Sequence, residues 1–254
     1  MAIILRPDIH IGVCGVTGSG KSTLFSRLIL PALRKIRGQV LVIIDIKDEY
    51  SEAAGVTVET PADLNDALYA KDKPAAKVIR VRPTMDATQA YAEELLRSAW
   101  APYMRNMRGG GRYVPTFPVR VIIDDVTAWY SETGGRGGEE IMRRYCTLGR
   151  GVGGPKGART VTWLAQRLTL VPKIATTQAS ILICCSMAPY DILNSIDKQY
   201  SVRIGNAVRA LPRYGYAILS DELPGFIEIY NPIKGKFPAR PGGIDLDKIT
   251  AANG

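Results

Sequence analysis

Ile9-His-Ile-Gly-Val-Cys-Gly15-Val-Thr-Gly-Ser-Gly20-Lys21-Ser22 is the stretch whose reading decides the fold. An apolar run ends at Cys14, and Gly15, four residues, Gly20, Lys21 and Ser22 follow. This is the phosphate-binding loop pattern between a strand and a helix. Its glycines let the backbone curl until successive N–H groups face one anion. Lys21 then reaches the β- and γ-phosphates of a nucleoside triphosphate, and the Ser22 hydroxyl supplies a ligand to Mg²⁺. The expected nucleotide contacts are Gly15, Val16, Thr17, Gly18, Ser19, Gly20, Lys21, Ser22 and Thr23, and the expected ligands are ATP and Mg²⁺. The competing reading is a glycine-rich turn with no ligand.

Length and composition bound the rest. A chain of 254 residues with 46% hydrophobic residues fits one large α/β domain with a full core. Its longest apolar runs, such as 121–123 and 181–185, fall far short of a bilayer span. The first eight residues lack the long apolar core of a signal peptide, so the expectation is a soluble, intracellular protein. Cys14, Cys146, Cys184 and Cys185 form no Cys-x-x-Cys pair and His10 is the sole histidine, which argues against zinc and against a histidine-based triad. The net charge of +9 allows a polyanionic partner without requiring one.

Taken in order, residues 22–36 read as a helix that Pro31 should kink. Val40–Ile46 reads as a strand buried on both faces, ending in the polar cluster Asp45-Ile-Lys-Asp-Glu-Tyr50. A short helix over 61–70, a strand over 78–81 and a long helix over 86–107 follow, the last with Tyr91, Leu95, Leu96, Ala99 and Tyr103 as its buried face. Strands are expected at 119–123, 160–165 and 181–185, and a helix over 188–196 with Asp191 in its first turn. Residues 208–211, 215–219 and 225–230 read as short, mostly antiparallel edge strands. One ATPase domain over 1–232 and a Pro/Gly/Lys-rich tail over 233–254 complete the expected organisation.

The chemistry gathers at strand ends. Val119–Ile123 runs into Asp124 and Asp125, the Walker B arrangement. Asp124 suits holding Mg²⁺ through water, and Asp125 suits orienting or deprotonating the attacking water. The bland alternative is a helix N-cap followed by a first-turn acid. Gln166 ends the strand at 160–165, where an amide can sense the γ-phosphate. Spaced basic residues in or beside glycine-rich loops (Arg105, Arg108, Arg112, Arg136, Lys156 and Arg159) are candidates to line a channel for nucleic acid, or else merely keep loops soluble.

The order of these parts resembles the FtsK–HerA translocases, and within them the genome-packaging ATPases of double-stranded DNA viruses. The resemblance rests on Gly15–Ser22, on Ile44–Tyr50 (like an Asp-Pro-x-Gly-Glu-Tyr element), on Val121–Asp125 and on Trp163–Pro172, and it covers most of residues 9–230. Ile46 stands where that element has proline, and Leu168-Thr169 replaces Pro-Ser. The resemblance implies a RecA-like P-loop fold: a mostly parallel sheet flanked by helices, with antiparallel edge strands toward the C-terminus. It also implies a ring of five or six copies, and an arginine supplied to the neighbour's nucleotide, for which Arg150 is the best match and Arg144 and Arg159 are fallbacks. No amino-terminal barrel, membrane segment or winged helix is apparent, as expected of the small viral type.

The function this implies is ATP-driven translocation of double-stranded DNA, packaging a genome into a preformed capsid. Capsid vertex or portal proteins would be partners, and the host cytoplasm, with virion association, the location. The alternatives are a ring ATPase for conjugation, repair or virion morphogenesis, a small-molecule P-loop kinase, and a nucleotide switch without motor activity.

Overall fold

The computed structural model describes residues 5–69, 74–83, 89–107, 117–129, 136–150, 157–211, 214–220, 227–230 and 243–244. Strand β1 (Ile11–Cys14) leads through the glycine loop into helix α1, residues 21–34. The chain continues through β2 (Val40–Ile44), β3 (Val56–Val58), α2 (Pro61–Tyr69), β4 (Val78–Val81), α3 (Gln89–Met107) and β5 (Val119–Ile123). Then come α4 (Val126–Trp129), α5 (Arg136–Leu148), β6 (Arg159–Ala165), α6 (Lys173–Thr177), β7 (Ile181–Cys184), α7 at residues 189–199 and α8 (Val202–Arg209). Strands β8 (Tyr216–Ser220), β9 (Ile227–Tyr230) and β10 (Gly243–Ile244) close the sheet.

The sheet has ten strands in the order β10-β9-β8-β7-β1-β6-β5-β2-β4-β3. Every pairing from β7 to β3 is parallel, and β8, β9 and β10 add on antiparallel. This is the expected RecA-like P-loop architecture. The last strand, Gly243–Ile244, pairs with Ile227 and Glu228, so the sheet reaches into the stretch beyond residue 232.

The β-branched runs are buried on both sides, as parallel strands between helical layers must be. Their alternation divides the core in two. Val40, Val42, Ile44, Val121, Ile123 and Trp163 face one layer, which α2, α3, α5 and α8 cover. Ile11, Val13, Leu41, Ile43 and Ile122 face the other, against Leu24, Phe25, Ile29, Leu30 and Leu33 of α1 and the ring of Tyr50.

Pro31 sits in α1 with a π-turn, Phe25–Ile29, just before it. The Leu30 amide bonds the Phe25 carbonyl, five residues back, so the wider turn accommodates a residue with no amide hydrogen and a bulky ring. Residues 208–211, expected as a strand, instead include the end of helix α8. Ser201 caps that helix, its hydroxyl accepting from the Ile204 amide at 3.2 Å, and Ile204, Gly205, Ala207 and Val208 form its buried stripe.

Arg120 and Arg159, which charge alone would place outside, lie inside, as does Arg80. Arg120 is fully buried in β5 and donates to the carbonyls of Ile9 (2.9 Å) and Arg6 (2.8 Å) and to the Thr162 hydroxyl (3.1 Å), tying three segments together. Arg159 starts β6 at 1% exposure. Its guanidinium donates to the carbonyls of Phe117, Gly157 and Ala158 and lies 6.0 Å from the Phe117 ring centre. The expectation that Arg159 lines a channel is therefore corrected: its guanidinium is buried, with Nη1 bonded to backbone inside the protein, and the same burial removes it as a fallback finger.

Because α1 carries the apolar cover of one face, Leu33→Ala should cost about 2–5 kcal/mol in denaturant unfolding, while the exposed Leu28→Ala should stay within about 0.5 kcal/mol.

Candidate nucleotide site

The carboxyl ends of the parallel strands converge on one cavity of about 280 Å³, lined by Thr17, Gly18, Lys21, Ser22, Lys47, Glu49, Asp124, Asp125, Leu164, Ala165 and Gln166. The loop after β1 supplies its floor. The Gly15 amide bonds the Ala165 carbonyl at 3.2 Å and the Val16 amide bonds the Ser186 carbonyl at 2.8 Å, which fixes the loop between its neighbours in the sheet. A Cβ on Gly15 would stand 2.8 Å from Cys185 Cβ and 2.9 Å from the Ser186 carbonyl, so only glycine fits that approach. Gly20 opens α1 with φ at 92°, a left-handed conformation that glycine adopts without strain. Lys21 Nζ donates to the carbonyls of Gly15 (2.6 Å) and Val16 (3.1 Å), holding its charge over the loop. Burial pulls the Lys21 ammonium below its usual range, and the charge of Lys47 pulls the same way.

The second wall is the turn after β2. Asp45 is buried and accepts from the Glu49 amide and the Tyr50 amide at 2.9 Å each, and from Arg80 Nε at 2.8 Å. Arg80 also pairs with Asp48. Asp48 takes φ of 61° where the resembled element carries glycine; a short acidic side chain tolerates that conformation better than most. The result is a turn locked at both ends that presents Lys47 and Glu49 to the cavity.

The third wall is the Asp124-Asp125 turn after β5. Asp124 is 1% exposed, and its Oδ2 has no hydrogen-bond partner among the described residues. Burial raises its carboxyl to about 6, with Glu49, Asp125 and Asp45 adding to the rise and Lys47 opposing it. Asp125 has φ of 54°, and the left-handed turn sends the two neighbouring carboxylates to different partners. Asp125 Oδ1 accepts from the Thr127 hydroxyl (2.6 Å), and Oδ2 accepts from Gln166 Nε2 (2.7 Å) and pairs with Lys47 Nζ (3.1 Å). Burial pushes the Asp125 carboxyl up, but these three donors and the Lys47 charge outweigh it and leave the group below the usual carboxylate range. Gln166 in turn accepts from the Thr17 hydroxyl at 2.8 Å, so an unbroken chain runs from the phosphate loop through Gln166 to Asp125.

The structure thus brings together Lys21, Ser22, Asp124, Asp125 and Gln166, which the sequence placed after three separate strands. Val16, Thr17, Gly18, Ser19 and Thr23 lie on the same loop and first helical turn. Ser22 and Asp124 suit a magnesium ion: an unpartnered buried carboxylate oxygen beside a hydroxyl is what an ion needs when phosphate and water complete its shell. Arg150 lies elsewhere. It follows α5 and donates to the carbonyl of Gln178, beside the starts of β6 and β7 and so at the edge of the sheet opposite its own phosphate loop. Arg144 pairs with Glu140 on α5. Of the other channel candidates, Arg105 and Arg136 belong to helices but their side chains lie outside the described set, and Arg108, Arg112 and Lys156 lie outside the described residues. Lys47 is the residue that sequence reasoning passed over: it stands at the variable position of the resembled element.

Comparison with known proteins agrees with this geometry. The family described as "Helicase HerA, central domain" matches residues 8–108. The genome packaging NTPase B204 of Sulfolobus turreted icosahedral virus 2, in complex with ATP-gammaS, is similar over 90% of this chain and 100% of its own, at 19% identity and a TM-score of 0.64. The fold is that of a P-loop ATPase. B204, the DNA-packaging ATPase from Sulfolobus turreted icosahedral virus, is similar over the same shares, with 19% identity and a TM-score of 0.65. VirB4 of Thermoanaerobacter pseudethanolicus is similar over 91% of this chain and 90% of its own, at 10% identity and a TM-score of 0.57. No sequence match was found among curated proteins. No helix among the described residues is long and apolar enough to cross a membrane. The described cysteines are all buried and free.

The elevated carboxyl of Asp124 has a measurable consequence. Its neutral form is favoured in the native state, so its contribution to stability is present below about pH 4 and is lost as pH rises through about 6. Asp124→Asn should therefore stabilise the nucleotide-free protein at pH 8 by about 1–3 kcal/mol, with the gain shrinking as pH falls below 6 in urea titrations.

Proposed function

We propose that the protein hydrolyses ATP at an interface between copies of itself and uses the cycle to drive double-stranded DNA through a ring, packaging a viral genome into a capsid. The observation that carries the reading is the Thr17–Gln166–Asp125 chain, which joins the phosphate loop to an acid in a cavity that also holds Lys21, Ser22 and Asp124.

In this reading the loop amides and Lys21 bind the triphosphate. Magnesium, held by Ser22 and through water by Asp124, would supply charge to the β- and γ-oxygens. Asp125 orients the attacking water and accepts its proton, and Gln166 reports whether the γ-phosphate is present. A lone copy offers no arginine to the transferred phosphoryl group from Arg150, which stands at the far edge of its own sheet. From a neighbouring copy Arg150 acts in trans, as an arginine finger does. Arg105, Arg108, Arg112, Arg136 and Lys156 remain the proposed contacts to DNA phosphates; capsid vertex or portal proteins remain the proposed docking partners, and host cytoplasm and virion the proposed location. The likeness to the pCW3 conjugation coupling protein TcpA favours one second reading, a conjugation-type ring ATPase with the same site.

Turnover should rise on adding duplex DNA at low salt, and the rise should fade steeply as salt is added, since each phosphate contact releases counterions. Lys21→Ala should abolish turnover and weaken nucleotide binding. A rate indifferent to duplex at every salt concentration overturns the translocase reading.

The trans role of Arg150 has its own test. Arg150→Ala chains should bind nucleotide yet hydrolyse slowly, by the 10³–10⁵ typical of a finger, and should regain activity when mixed with Asp125→Asn chains that keep their arginine. Absence of rescue in mixed assemblies removes Arg150 from that role.

A further inference from the structure

Among the described residues that line the cavity, Lys47 is the cation that no part of the proposed mechanism uses. Its ammonium lies 3.1 Å from Asp125 Oδ2, the same oxygen that accepts from Gln166. Its side chain keeps 38% of its exposure, whereas its backbone belongs to a turn fixed by buried Asp45 and Arg80. The long side chain can therefore swing while its root cannot. Lys21 stands across the same cavity, and each lysine lies within the electrostatic reach of the other. Burial pulls the Lys47 ammonium down, but Asp124, Asp125 and Glu49 outweigh it and hold it above its usual range. A polyanion between the two lysines would compete with those carboxylates for Lys47 and meet the charge of Lys21 as well.

We infer that Lys47 is a second phosphate-binding cation, supplied in cis, which leaves Asp125 for the terminal phosphate of a bound triphosphate and returns to Asp125 when only a diphosphate remains. The inference rests on the ATP-hydrolysis reading and deepens it. Lys21, anchored to the loop carbonyls of Gly15 and Val16, holds the inner phosphates. Lys47, paired across the cavity with the Asp125 oxygen that Gln166 also bonds, meets the outermost one. Asp125 has two states as a result. Paired with Lys47 its carboxylate is neutralised and occupied; released, it is free to take hold of water. Arrival of the third phosphate thereby arms the acid, and its departure disarms it.

The test compares calorimetric binding of a nonhydrolysable triphosphate, AMPPCP, with that of ADP, in magnesium buffer on the full chain. Removing one charge-assisted contact made only to the terminal phosphate, as in Lys47→Met, should weaken AMPPCP binding about tenfold or more and leave ADP within about twofold. Lys47→Arg should restore most of the discrimination. Asp125→Asn, which removes the competing partner, should bind AMPPCP more tightly than the unaltered chain, and Lys47→Met/Asp125→Asn should lose that gain. A residue that merely propped up Asp125 would lower turnover without moving the AMPPCP-to-ADP ratio. If Lys47→Met changes both affinities alike, or neither, the inference fails while ATP hydrolysis by the unaltered chain leaves the wider reading intact. If the unaltered chain hydrolyses no ATP, both fail together.

Discussion

The carboxylate of Asp125 is held by three donors from three elements, and the site takes its shape from that convergence. Thr127 follows it in the chain, Gln166 comes from the end of β6, and Lys47 comes from the turn after β2. Each can reach only because β2, β5 and β6 lie side by side in parallel register, so that their carboxyl ends form one rim. Shifting a strand by one residue would turn every side chain at its end to the opposite face. The register is guarded by buried groups far below the rim. Arg120 and Arg159 satisfy carbonyls at the starts of the strands, and His10, buried and held neutral with its pKa lowered to about 3 by burial and the nearby charges of Arg150 and Arg120, accepts from the Val161 amide at 3.1 Å. Polar ties at one edge set the alignment that the chemistry at the other edge needs.

Adjacent acids with opposed environments are the second consequence. Asp124 is buried with an oxygen left unpartnered among the described residues and is raised toward 6, while Asp125, one residue on, is surrounded by donors and lowered. A left-handed residue in the turn makes this divergence possible, at the cost of backbone strain that only dense bonding around the carboxylate offsets. In the proposed reading one acid serves a cation and the other a polar reactant. Their division of labour follows from one dihedral angle.

Much of this was legible beforehand, for physical reasons. The glycine loop, the acids at the end of β5 and the amide at the end of β6 each follow a run of apolar residues, and a strand that ends in a polar side chain announces itself. The role of Lys47 was not legible: its placement depends on Asp45 binding Arg80, 35 residues away, and on an acidic residue adopting a left-handed turn. Arg159 misled because a basic residue beside glycines reads as solvated, whereas the carbonyls that enclose it come partly from Phe117, 42 residues earlier. The stretch at 208–211 misled because Val208-Arg-Ala-Leu taken alone is too short to reveal a period. The cap at Ser201, seven residues earlier, was the signal that would have found the helix. Local chemistry could be read from the chain; partnerships across tens of residues could not.

In the proposed reading, a cavity at one edge of the sheet and Arg150 at the opposite edge belong to an enzyme that finishes its active site with a second copy of itself. The most direct measurement is the ATP turnover per chain as protein concentration is raised through the range in which the chains assemble, with assembly followed in parallel by sedimentation. The account predicts that turnover per chain rises with assembly from almost nothing in the monomer. Full turnover by dilute, monomeric protein, unchanged on assembly, would contradict it.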